Sequence, residues 1–85
     1  MILRLRSEDL DWREIDDEIV ALDRRDATYI AVNGSGALVW RSLASDATRQ
    51  ELVSALVEAY GIDEARASAD IDSFLDALAE RGLLL

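Results

Sequence analysis

The hydrophobic pattern of this chain changes period once, at Asn33-Gly34-Ser35-Gly36, and that change limits the folds open to it. Ahead of it, the runs Leu10 to Ile15, Ile19 to Leu22 and Ala27 to Val32 are rich in β-branched and aromatic residues, the composition of short strands. Asp16-Asp17 and the polar stretch Asp23 to Asp26 separate the runs and supply turn chemistry. The first third therefore reads as a three-stranded antiparallel meander.

Beyond Gly36 the spacing becomes helical. Ala37, Leu38, Val39, Trp40 and Leu43 fit one helical face, with Asn33 or Ser35 as a cap and an end near Ser45. Thr48 and Glu51 stand three apart, the arrangement in which each side chain satisfies a free backbone N–H of the other's residue. A second helix starts there, buries Leu52, Val53, Leu56, Val57 and Tyr60, and stops at Gly61. Asp63 caps a third helix that reaches Arg81 and is closed by Gly82, about 18 residues and roughly 27 Å long. Its apolar stripe is Ala67, Ile71, Phe74, Leu75 and Leu78. Leu83-Leu84-Leu85 is too apolar for a free tail and is expected to fold back on the core. The order βββααα predicts an α+β fold, a winged helix-turn-helix with its sheet placed first. No repeat, linker or Pro interrupts the 85 residues, so residues 1–85 are expected to form a single domain.

Charge and composition exclude several functions. Eighteen acidic residues against nine arginines give a formal charge of −9, a field that repels phosphate backbones. Helix two offers Arg49 against Glu51 and Glu58, and helix three offers Arg66 and Arg81 against six acids, so neither suits a major groove. No nucleic-acid partner is expected. No apolar run approaches the length of a bilayer crossing or a signal sequence, and Cys is absent, which fits a reducing cytosol. The expectation is a cytoplasmic protein with no membrane partner.

Catalytic residues are not evident. The chain has neither His nor Cys, the usual groups that titrate near neutral pH or attack as nucleophiles, and no G-x-S-x-G elbow surrounds a serine. Asp70 and Asp72 point about 200° apart on a helix and cannot converge on one metal, so with Asp76 they read as a solvated helix surface. Asn33-Gly34-Ser35-Gly36 lacks the Lys of a P-loop and the third Gly of a dinucleotide fold. No catalytic residue, metal or cofactor is predicted, and the chain reads as a non-enzymatic binding module. What remains is surface: the third strand lies at the end of a sequential meander, where its free N–H and C=O groups could pair with an added strand.

Trp12-Arg13-Glu14-Ile15-Asp16, a hydrophobic strand ending in Asp23, and Tyr29 ahead of Val32-Asn33-Gly34-Ser35-Gly36-Ala37 with Trp40 and Leu43 resemble the PqqD family. The ending Asp70-Ile71-Asp72-Ser73-Phe74-Leu75-Asp76-Ala77-Leu78-Ala79-Glu80-Arg81-Gly82-Leu83-Leu84 is similar to that family's closing helix and Gly-Leu-Leu tail. The resemblance spans residues 10 to 85. It implies a stand-alone recognition element for ribosomally made, post-translationally modified peptides. The precursor's leader would lie as an extra antiparallel strand on Thr28, Tyr29, Ile30, Ala31 and Val32. The facing wall would be Ala67, Asp70, Ile71 and Phe74, with Leu75 beside them. The implied partners are the leader peptide and a maturation enzyme, the leader-cleaving protease of lasso-peptide biosynthesis. The alternatives are a peptide chaperone for pyrroloquinoline quinone synthesis and an acidic winged-helix regulatory domain.

Overall fold

The computed structural model describes residues 1–85. Its elements in chain order are β1 (Ile2–Leu3), β2 (Leu10–Ile15), β3 (Glu18–Asp23), β4 (Thr28–Val32), α1 (Gly34–Ala44), β5 (Ala47–Thr48), α2 (Arg49–Tyr60) and α3 (Glu64–Glu80). The meander is present, an antiparallel sheet of order β2-β3-β4, and the three helices follow it as the period change predicts. Asp16 and Asp17 both take positive φ, 49° and 66°, and join Ile15 to its partner Glu18. That two-residue loop has the twist of a type I′ turn, which fits the twist of the flanking strands.

The helix ends follow local chemistry. Thr48 and Glu51 form the reciprocal capping box at the start of α2, and Gly61 closes that helix in the left-handed conformation. The Asp63 carboxylate accepts from the Arg66 N–H at the start of α3, which ends at Glu80 with Arg81 as its cap. At α1, however, the Asn33 side chain makes no capping bond. Gly34 at φ 54° makes the turn into the helix there.

Two features escaped the sequence reading. The N-terminal segment adds a strand, β1, which pairs antiparallel with β5 between α1 and α2. Strands of two residues carry no readable period. The burial of Asp23 is the second: placed in the polar bend by composition and at a strand end by the resemblance, it is the last residue of β3 and is buried. Strand alternation explains its position, because Ile19, Ala21 and Asp23 share the inward face.

The core lies between the inner face of the sheet and the helices, around the fully buried Ile19, Trp40, Leu43, Leu52, Leu56, Ile71 and Leu83. Leu83 thus folds inward as expected, Leu84 bridges to Leu5, and only Leu85 of that trio is largely exposed. Trp12 and Trp40 meet edge to face at 6.1 Å, a preferred aromatic geometry. Arg49 at the head of α2 joins that helix to α3 through Asp72 at 2.8 Å and through the Ser68 hydroxyl. The Asp72 hydrogen bond holds the Arg49 guanidinium above its ordinary pKa, and the Arg49 hydrogen bond holds the Asp72 carboxyl below its own. No helix is long and apolar enough to cross a membrane.

Candidate functional site

Strand β4 pairs only with β3, so its other edge is open. Alternate N–H and C=O groups along Thr28–Val32 point away from the sheet, the arrangement that accepts an added strand. Helix α3 packs chiefly on α2, while the sheet reaches the helices mainly from β3 to α1. Neither the open edge of β4 nor the exposed flank of α3 is therefore covered by another element, and the space between them is the candidate cleft.

The two ends of this cleft are held differently. At the Val32 end, Phe74 of α3 lies against the start of α1: a Cβ placed on Gly36 would stand 3.1 Å from Phe74 Cε2 and 3.5 Å from Val32 Cβ. The glycine lets strand, helix start and aromatic ring approach one another, a role distinct from turning the chain. Beside it is a depression of ≈ 220 Å³ lined by Gly34, Ser35, Leu56, Tyr60, Ile62, Arg66 and Asp70.

At the Thr28 end, Arg6 is buried and its guanidinium donates both to Asp23 of β3 and, at 3.1 Å, to the Gly82 carbonyl just past α3. Burial alone would raise the Asp23 pKa. The Arg25 backbone N–H at 3.1 Å, the Arg6 hydrogen bond and the two guanidinium charges outweigh it and hold that carboxyl below the ordinary 3.8. Arg6 was not singled out from sequence. The inward position of Asp23 in its strand was the available signal, since a buried carboxylate requires a partner.

The ten residues predicted to bind peptide separate into groups. Thr28, Ile30 and Val32 are half-buried on the inward face of β4, whereas Tyr29 and Ala31 point to the outer face and are exposed. The alternation of a strand requires this split, and it places the Tyr29 side chain outside the cleft. On α3, Asp70 is exposed and Phe74 half-buried along one flank. Ala67 and Ile71 have no exposed surface, which corrects the expectation that they line the groove: they support its wall from the core. Leu75 lies about 100° round the helix from Phe74, on the flank where Ser68 and Asp72 meet Arg49 of α2.

The sequence profile described as "Coenzyme PQQ synthesis protein D (PqqD)" matches residues 18–84. The chain belongs to the PqqD family. Two solved structures are similar to this PqqD-family chain over nearly its whole length. TbiB1 in complex with the TbiA(beta) leader peptide is 31% identical, with 95% of this chain and 93% of that one covered and a TM-score of 0.88. A lasso peptide synthetase B1 complexed with the leader peptide is 26% identical, with 98% and 96% covered and a TM-score of 0.85. Among curated proteins none matches. The PqqD-like α+β architecture read from the sequence is thus the one observed.

Proposed function

We propose that this PqqD-family chain binds the leader segment of a ribosomally made precursor by strand addition to β4 and presents it to a maturation enzyme of lasso-peptide biosynthesis. One observation carries the reading: the edge of Thr28–Val32 has no strand partner, and its Val32 end comes close to Phe74 of α3 around Gly36. Similarity to two proteins solved with leader peptides supports it, and one of them, being a lasso peptide synthetase B1, favours that pathway over quinone cofactor synthesis. In this role the chain contributes no catalytic group. Backbone pairing along the strand supplies affinity that tolerates many leader sequences, and the walls of the cleft select among side chains. Ala67 and Ile71 hold α3 at its distance; Asp70 and Phe74 meet the guest.

Calorimetric titration with a synthetic leader peptide tests this. Asp70→Ala should weaken binding by about 1–3 kcal/mol with little change in melting temperature, since it removes a charged hydrogen-bond acceptor from an exposed site. An unaltered affinity removes Asp70 from the site. NMR shifts confined to α1 and the Asp16-Asp17 turn would place the peptide elsewhere and overturn the reading.

A further inference from the structure

The turn from β3 into β4 brings cations to the Thr28 end of the cleft. Arg6, Arg24, Arg25 and Arg81 lie there and balance Glu8, Asp9, Asp23 and Asp26, so this end is close to neutral on a chain that carries −9. A depression of ≈ 420 Å³ opens between Arg6, Ser7, Glu8, Arg25 and Gly82. Arg6 is its buried wall, tied to Asp23 and to the Gly82 carbonyl, and its Nε is buried without a partner. Arg25 is the accessible cation. Its backbone N–H donates to Asp23 at 3.1 Å, which fixes where the side chain starts. Its guanidinium is 53% exposed and comes no nearer to a carboxylate than 3.9 Å from Asp9. That is too long for a hydrogen bond, so its donors are left to solvent.

Strand addition by itself leaves the register of the guest open. A slip of two residues along β4 keeps the same side chains inward and remakes the same backbone bonds. Thr28–Val32 is only five residues long, so a longer leader continues past Thr28 to the turn that carries Arg25. We infer that this end of the cleft is a subsite for an acidic side chain of the leader, with Arg25 as the residue that selects it; the inference rests on the leader-binding reading above. Charge sets the class of group. The field of the rest of the chain repels a carboxylate, whereas here an unpaired guanidinium offers it two parallel donors. A leader lysine or arginine meets Arg25 as a like charge. The acid therefore pins the register: a two-residue slip carries it about 7 Å along β4 and out of reach of Arg25.

The test titrates the synthetic leader peptide of the precursor into the unvaried chain, Arg25→Gln and Arg25→Glu. It is repeated with leaders in which each Asp or Glu outside the pairing segment is replaced by Gln or by Lys. Arg25 is exposed and has no close protein partner, so both variants should keep their melting temperature within about 3 °C. Affinity for the natural leader should fall by about fivefold in Arg25→Gln and by roughly tenfold or more in Arg25→Glu, and both losses should shrink as salt is raised. For one leader acid, the Gln leader should bind the unvaried chain and Arg25→Gln alike, and the Lys leader should bind Arg25→Glu more tightly than the unvaried chain. Affinity of Arg25→Glu within about twofold of the unvaried chain overturns the subsite. So does a loss that persists unchanged with every Gln leader, because Arg25 then acts on the turn alone. Failure of the unvaried chain to bind leader at all sinks the leader-binding reading itself, whereas tight binding indifferent to Arg25 leaves that reading intact and sinks only the subsite.

Discussion

The two ends of the β4–α3 cleft are fixed by different physics. At one end Phe74, Val32 and Gly36 are in tight apolar contact, and the spacing is set by side-chain size. At the other end a buried guanidinium ties the end of β3 to Gly82, two residues past α3, and the spacing depends on two ionised groups. Tight packing is insensitive to pH and answers a change in volume in proportion to its size. A buried ion pair is intolerant: losing one member leaves the other desolvated and unpaired. The cleft thus has one graded end and one all-or-none end.

Arg6→Ala breaks this contrast most severely. It strands the Asp23 carboxylate and frees the Gly82 carbonyl, so stability should fall by about 3–5 kcal/mol, a drop in Tm on the order of 20 °C in the circular dichroism melt. Phe74→Ala is next. The ring is half-buried, so the loss should be about 2–4 kcal/mol, and leader affinity should fall with it because the α3 wall loses its largest side chain. A decline in stability with Arg6→Ala smaller than with Phe74→Ala would invert the comparison.

Acid separates the ends without mutation. Asp23 has its pKa lowered by folding, so its contribution is complete above the unfolded value near 3.8 and disappears as pH falls through the lower folded value. Asp72, lowered by Arg49, acts in the same direction. Melting temperature should therefore be level from neutral pH to about 5 and drop below about 4. Phe74→Ala should shift that whole curve downward and keep its shape. Asp23→Asn should flatten part of the acid limb, and an unchanged limb would show that Asp23 is not the titrating clasp.

Legibility in the sequence followed the same division. Periodic and capping signals placed all three strands of the meander and all three helices, because Thr48 with Glu51, Gly61 and Asp63 act through neighbours a few residues away. The open edge of β4 was legible from strand order alone. The clasp was not, since Arg6 and Gly82 are 76 residues apart and no local pattern marks such a contact. The assignment of Ala67 and Ile71 to the groove failed for a related reason. Helical spacing gives an apolar stripe but not which edge of it faces the core, and tertiary packing put both residues on the buried side.

The smallest and sharpest effect is expected from the two glycines that open α1. Gly34 has φ 54° with open space around its missing Cβ, so Gly34→Ala meets backbone strain alone and should lose about 1 kcal/mol of stability. Its leader affinity should stay the same, because no neighbour moves. Gly36 is the reverse. Its φ is not in the left-handed region, and alanine gains up to about 1 kcal/mol in helix propensity, which offsets the tight 3.1 Å approach to Phe74 Cε2. Net stability should change by less than about 1 kcal/mol, while the displaced ring narrows or skews the cleft and weakens leader binding by roughly twofold to fivefold. Melts and titrations of the pair form a crossed result: Gly34→Ala moves stability without affinity, and Gly36→Ala moves affinity without stability. If both variants moved only the melt, Phe74 would be a core residue with no part in shaping the cleft, and the graded end would lie elsewhere along α3.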